Sequence, residues 1–286
     1  MEDGPSPDKA ILAIAFTCPV LRVPMSSASR ASNLDAYLAP FLRRLQRYAD
    51  ISTAEACQLK SVVYQCQHHR RGDLLIKKGH LSNDVYAIAE GTVAQEIITE
   101  DGKTCIVEFL LPGDISSINS HLERTSGVTL KCLTGTTVIN LQAVALEALL
   151  AESDSLRRAF SLMKLASERI QRERFVSVAA RPGDFKLAHL LCELTLRTQH
   201  VLPDNAAVKP IPLTQPEIGA ALGLSNVHVN RIIKGMEALN LLEVHSGTIY
   251  LTDWEALAET YCFDGTYITQ QERLPNTRST GSTDNG

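Results

Sequence analysis

The chain predicts an α+β protein: an N-terminal antiparallel β-roll of the jelly-roll type, a long dimerisation helix, and a C-terminal winged helix-turn-helix. Three observations carry this reading. Short β-type runs separated by glycines fill the first half, a long helical pattern runs through 143–180, and 213–251 reads as two short helices, a glycine turn and a hairpin.

The elements follow in order. Residues 1–33 are rich in Pro, Ser and Ala and are expected to form a flexible arm. Helical patterns at 34–48 and 53–63 come next. Strand-forming runs at 73–77, 85–90, 92–99, 105–111, 128–133 and 137–141 are divided by Gly72, Gly79, Gly91, Gly102, Gly113 and Gly135. Asp101-Gly102 is a hairpin signal, because both residues accept positive φ. Many short strands at regular spacing favour a closed antiparallel roll over a parallel sheet. The roll, a sensor-like domain, is therefore assigned to 34–153.

In 154–180, Leu156, Phe160, Met163 and Ile170 recur in coiled-coil register, interrupted where Ser167 and Arg174 fall. This stripe is assigned to dimerisation, with packing on the chain's own roll as the alternative. Arg181-Pro182-Gly183-Asp184 marks a hinge, and 181–263 form the last domain. It opens with a helix at 185–199, continues through a Pro-containing linker, and ends with a short helix near 254–261. Residues 264–286 are expected to be a disordered tail.

Within that last domain, Thr214 with Glu217 three residues on is a capping box that starts a helix. Ile218, Ala221 and Leu222 supply its buried stripe, and Gly219 permits a close crossing. Gly223 stands where the chain must bend through positive φ. Ser225 caps a second helix with Val229, Ile232, Met236 and Leu239 on its buried side. Ser246-Gly247 then turns a hairpin flanked by Val244, Ile249 and Leu251. The outer face of the second helix carries Asn226, Val227, Asn230, Arg231 and Lys234, a polar, cationic surface suited to a DNA major groove.

Composition limits the partners. The 286 residues are 44% hydrophobic with a formal charge of −4, which argues against an indiscriminate nucleic-acid binder. Residues 180–262 hold six Lys or Arg against nine Asp or Glu, so DNA binding has to rest on a local basic face. The seven cysteines include no C-x-x-C pair and no neighbouring histidine at ligand spacing, so neither a disulfide framework nor a zinc site is expected. Most thiols are read as small buried apolar groups, with Cys18, Cys57 and Cys105 left as candidates for a redox switch. His68-His69 beside Arg70-Arg71 reads as a solvated turn, and His121 stands alone. The apolar run 10–16 is too short for a membrane span and lacks a basic flank, so a cytoplasmic protein is expected.

A roll with Arg71-Gly72, Gly79, Glu90-Gly91 and Leu111-Pro112-Gly113-Asp114, followed by the 213–251 motif, resembles the Crp/Fnr superfamily of bacterial transcription regulators. The likeness covers about 35–262. The string Val227-His228-Val229-Asn230-Arg231 is similar to a rhizobial-type branch. The resemblance implies a homodimer that binds palindromic promoter sites on double-stranded DNA and works with RNA polymerase. It places Ser225, Asn226, Val227, Asn230 and Arg231 on DNA-facing positions. Arg231 can fork onto guanine, Asn226 or Asn230 can bond adenine, and Val227 can meet a thymine methyl. Thr214 and Gln215 are expected on phosphates at a helix start, with His228 as a cap, a phosphate contact or a base reader, and Lys234 on the same face.

The same resemblance implies a degenerate cyclic-nucleotide pocket. Where cyclic-nucleotide binders carry a Gly-Glu pair and then Arg-Ser, this chain has Ser116-Ser117-Ile118 and Ser126-Gly127. Without a fixed cation, burying a cyclic phosphate costs several kcal/mol, so cAMP is not expected as the effector. Glu123 and Arg124 are adjacent at a turn and project in different directions. With only Cys18 in the arm, an iron–sulfur cluster cannot be assembled in the family's pattern, and no cofactor is expected. No nucleophile–base constellation or phosphate-cradling loop points to an enzyme. The competing reading is a module that binds a small effector, a cyclic nucleotide or a redox signal, and uses its winged helix for protein contacts.

Overall fold

The computed structural model describes residues 27–81, 84–116, 125–202 and 209–269, with side chains from 34 onward. Cys18, Ser117, Ile118, His121, Glu123 and Arg124 lie outside the described residues. Helix α1 spans Ser27–Gln46, so helix begins inside the segment expected to be an arm. Helix α2 (Thr53–Ser61) starts with a full capping box in which Ser52 and Glu55 satisfy each other's backbone N–H groups.

Among the described residues, seven strands build the roll: β1 (Val63–His69), β2 (Leu74–Ile76), β3 (Asp84–Glu90), β4 (Val93–Ile98), β5 (Thr104–Leu110), β6 (Thr129–Cys132) and β7 (Thr136–Gln142). They pair antiparallel in two sheets, β1-β7-β3 and β2-β6-β4-β5. Six of the seven match runs expected from sequence, and β1 does not. Its residues alternate between exposed and half-buried, so it carries no apolar face to mark it. At the β3–β4 turn, Gly91 has φ +86°, and a Cβ there would come within 2.5 Å of the Gly135 carbonyl oxygen. Glycine is therefore required by both conformation and space.

The helical stretch after the roll is two helices. Helix α3 (Ala143–Glu152) ends at Ser153, whose hydroxyl accepts from Leu156 N–H and so caps α4 (Asp154–Ala180). Ser153 also donates to Glu55, 2.6 Å away. Along α4, Leu156, Phe160, Met163 and Ile170 are all buried in the single chain. The first three pack in one cluster with Leu38, Phe41 and Leu45 of α1 and Ile139 and Leu141 of β7. Their assignment to dimerisation is corrected: the repeat marks a buried face, and the chain's own α1 and roll occupy its part from Leu156 to Met163.

Helices α5 (Gly183–Gln199), α6 (Gln215–Leu222) and α7 (Asn226–Ala238), the hairpin β8 (Leu242–His245) and β9 (Thr248–Leu251), and α8 (Trp254–Thr260) form the last unit. Its core is continuous with the roll, since Ile106, Phe109, Leu111 and Leu133 share one cluster with α5, α6 and α7. Inside the segment expected to be a tail, α9 (Thr266–Thr269) buries Ile268 and packs on α4. No helix among the described residues is long and apolar enough to cross a membrane.

Candidate nucleic-acid interface

The helix-turn-helix is held by local chemistry. Thr214 accepts from Glu217 N–H while the Glu217 carboxylate accepts from Thr214 N–H, fixing the start of α6. Gly223 ends α6 in the left-handed region at φ 66°. At Gly219 a Cβ would sit 2.6 Å from the Leu224 carbonyl oxygen, so the close approach permitted by glycine is to the turn itself. Ser225 accepts from His228 N–H and starts α7. Val229, Ile232, Ile233 and Met236 bury the inner side of α7.

The outer side of α7 is open. Ser225, Asn226, Val227, Arg231 and Lys234 are exposed, and Val227 reaches 82%. Asn230 is half-buried on the flank of the same helix. Among the described residues, the side chains of Asn226, Asn230, Arg231 and Lys234 make no hydrogen bond or ion pair. His228 stands apart: it is half-buried, and its Nε2 lies 3.0 Å from where a Cβ on Gly183 would be. It packs on the start of α5, away from the open face. Thr214 and Gln215, at the start of α6, are half-exposed.

A second site lies between the roll and α4. A cavity of about 320 Å³ is lined by Arg44, Gln95, Glu108, Asp114, Gln171 and Arg197 among others. Glu108 of β5 accepts from Ser167 Oγ at 2.6 Å and from Gln171 Nε2 at 2.9 Å, both on α4. Burial pushes its carboxyl above the usual range, against those hydrogen bonds and the Arg197 charge. Arg197 of α5, 2% exposed, pairs with Asp114 at 2.7 Å and with Glu193 at 2.9 Å, and donates to the Phe109 carbonyl. Burial alone would lower its pKa, but Asp114 and Glu193 outweigh burial and keep it charged. Arg174 of α4 joins Glu193 at 2.7 Å, its guanidinium 5.1 Å from the Phe109 ring centre. Sequence reasoning missed this seam, because its contacts join residues up to 88 positions apart and carry no common spacing.

The thiols differ from expectation. Cys132 and Cys192 are buried, with burial pushing them up to about 11 and about 12, which keeps them protonated. Cys57, Cys66, Cys105 and Cys262 are exposed, so among the described residues the buried apolar role holds for the minority. No cluster of three or more metal-binding side chains occurs among the described residues.

The cyclic nucleotide-binding domain family matches residues 66–153, and the Crp-like helix-turn-helix domain family matches 186–260. Together they cover more than half of the chain, in the order the structure shows. The chain belongs to the Crp/Fnr superfamily of DNA-binding transcriptional regulators. It is 24% identical over 211 residues to the anaerobic regulatory protein of Pasteurella multocida, covering 73% of this chain and 76% of that one. It is 29% identical over 184 residues to the cAMP-activated global transcriptional regulator CRP of Salmonella typhimurium, covering 61% of this chain and 83% of that one. In fold it is similar to FixK2 from Bradyrhizobium japonicum, with TM-score 0.58 and 20% identity over 69% of this chain and 96% of that one.

Proposed function

We propose that this regulator binds palindromic promoter DNA as a homodimer, with α7 of each copy in a major groove. The observation that carries the reading is the open side of α7, where Asn226, Arg231 and Lys234 are exposed and spend their hydrogen-bonding capacity on nothing among the described residues. A solvated helix normally carries charges of both signs in mutual contact. Here, outward donors and acceptors of the kind that read base edges are gathered on one capped helix. Arg231 supplies a bidentate fork for guanine or a clamp on phosphate, Asn226 and Asn230 suit adenine, and Val227 suits a thymine methyl. Thr214 and Gln215 contact phosphate at the start of α6, and His228 orients the start of α7.

The dimer surface is the outward face of α4. Leu165, Phe175 and Val176 are 43%, 74% and 43% exposed there. With Ser161, Glu168 and Arg172 they form a stripe at heptad spacing, opposite the buried one. Such apolar exposure on a long helix is stabilised by a second copy. RNA polymerase is the further partner that family membership implies.

The cavity between the roll and α4 does not favour cAMP as the effector. The cavity beside α4 is walled by Glu108 and Asp114, and both described arginines at its wall, Arg44 and Arg197, already serve Asp114. A cyclic phosphate there would meet two carboxyl groups, and of the lining cations only the exposed Lys164 carries no ion pair among the described residues.

Selection of bound duplexes from a palindromic library, followed by mobility shift, tests the DNA reading. The selected site is expected to bind far more tightly than random duplex, with Arg231→Ala removing most of the difference. Equal binding of selected and random DNA, unchanged in Arg231→Ala, would overturn it.

A further inference from the structure

The region matched to the helix-turn-helix family ends at 260, yet the chain goes on building structure after it. Residues 261–268 run along one face of α5, the face that carries Phe185, His189, Glu193 and Leu196 at helical spacing. Phe185 and His189 meet the rings of Tyr261 and Phe263 edge-on, with 5.2 and 5.4 Å between ring centres. His189 Nε2 also donates to the Tyr261 carbonyl at 2.9 Å. Gly265 lies against Leu196, where a Cβ would come within 2.7 Å of a leucine methyl. Tyr267 of α9 donates to the Glu193 carboxylate at 3.4 Å. Burial, with the Glu193 and Glu173 charges, raises its phenol, so the proton stays in place.

This segment spans a joint. Only Arg181 and Pro182 connect α4 to α5, so the angle between the two helices is left to contacts outside the backbone. The Arg174–Glu193 ion pair is one such contact. The roll holds α5 from another side, through Asp114 and Arg197. Residues 261–268 add a further tie: they follow α5, and α9 then packs on α4 with Ile268 buried. Tyr267 reaches the same carboxylate that Arg174 holds, so α4, α5 and α9 meet at Glu193. Helix α7 rides on α5, since it packs against that helix and its His228 abuts Gly183.

We infer that residues 261–268 form a clasp that sets the half-site spacing this regulator accepts, with Tyr267 and Ile268 as its positioning residues. The inference rests on the proposed function, a homodimer that reads DNA through α7. In a dimer built on α4, the separation of the two α7 helices follows from the angle between α4 and α5. One added base pair moves a half-site by about 3.4 Å and turns it by about 35° around the duplex. A joint held from one side meets such a shift by bending. A joint gripped by the roll and by α9 has to break packed contacts to do so, and the mismatch is lost from binding. The clasp acts through α5, and the base contacts of α7 are the same with or without it.

The test uses the full chain and duplexes carrying the selected inverted repeat, its centre shortened by one base pair, unchanged, or lengthened by one or two. A duplex with a single half-site is the control. Wild-type protein is expected to lose about tenfold in affinity for each base pair of change. The double variant Tyr267→Ala, Ile268→Ala should flatten that loss to about threefold, with binding to the single half-site unchanged. Tyr267→Phe keeps the ring beside Phe263 and removes only the hydroxyl, so it should retain the wild-type profile. A folded double variant with the wild-type profile, or one weakened equally at every spacing, would overturn the inference. So would wild-type protein indifferent to spacing. Circular dichroism and melting temperature establish folding, and if the double variant unfolds, Ile268→Ala alone is read by the same criteria. If wild-type protein binds the selected repeat no better than random duplex, it is the underlying DNA reading that has failed.

Discussion

Two sets of polar side chains lie on either side of α5, and they are treated in opposite ways. In the seam between the roll and α4, Arg197, Glu193, Asp114, Arg174 and Glu108 are buried and spend their hydrogen bonds on each other and on neighbouring side chains. On α7, Asn226, Arg231 and Lys234 lie in the open with no partner among the described residues. The contrast separates architecture from function. A buried charge must be paired, because desolvation costs several kcal/mol. An exposed charge can stay unpaired at little cost, and a cluster of such groups on one rigid helix is capacity reserved for something outside.

The largest effect expected from breaking this comparison is in the seam. Arg197→Met leaves Asp114 and Glu193 short of a shared cation, and should destabilise the chain by about 3–5 kcal/mol in urea unfolding. A loss below about 1 kcal/mol would show that the seam is not a buried network in solution.

The faces of α4 give the next largest contrast. Phe175→Asp should shift the sedimenting species toward monomer while leaving the melting temperature of the monomer nearly intact. Met163→Asp, on the buried face, should unfold the chain, since it places a carboxylate in a packed core. A dimer unaffected by Phe175→Asp would move the interface elsewhere.

On α7, Asn226→Ala should leave unfolding unchanged and relax base preference at one symmetric position, at a cost of about 1–3 kcal/mol in site affinity. Uniform weakening across all sequences would instead make Asn226 a backbone contact.

The smallest effect concerns pH. Burial raises the Glu108 carboxyl in the folded chain, so the folded state holds its proton at pH values where the unfolded state has released it. Stability from this group is present below the unfolded value near 4.5, and falls as pH rises toward the folded value. Glu108→Gln keeps an acceptor for Ser167 and removes this loss, so its melting temperature should decline less than wild type as pH rises above the ordinary carboxylate range. Parallel curves for the two proteins would show that Glu108 is not held protonated.

What sequence could reveal follows the same division. The helix-turn-helix was legible because its signals are local: Thr214 with Glu217, Gly223, and Ser225 before an amphipathic run all act within a few residues. Six strands were legible from runs bounded by turn glycines. β1 was not, because its half-buried residues include Gln65, Gln67 and His69 and show no apolar face. The stripe Leu156, Phe160, Met163 and Ile170 announced a buried face of α4 but not its occupant, since periodicity says nothing of what lies across the interface. The seam was invisible, as Asp114 and Arg197 meet only through tertiary folding.

The most direct test of the central claim, that α7 reads DNA in a symmetric pair, is selection from a random duplex pool with wild-type and Arg231→Ala protein side by side. The account predicts that wild type enriches an inverted repeat whose half-sites are centred about 10 base pairs apart. Arg231→Ala should lose enrichment or relax one matched position in each half. An asymmetric consensus, or the same consensus from both proteins, would contradict it.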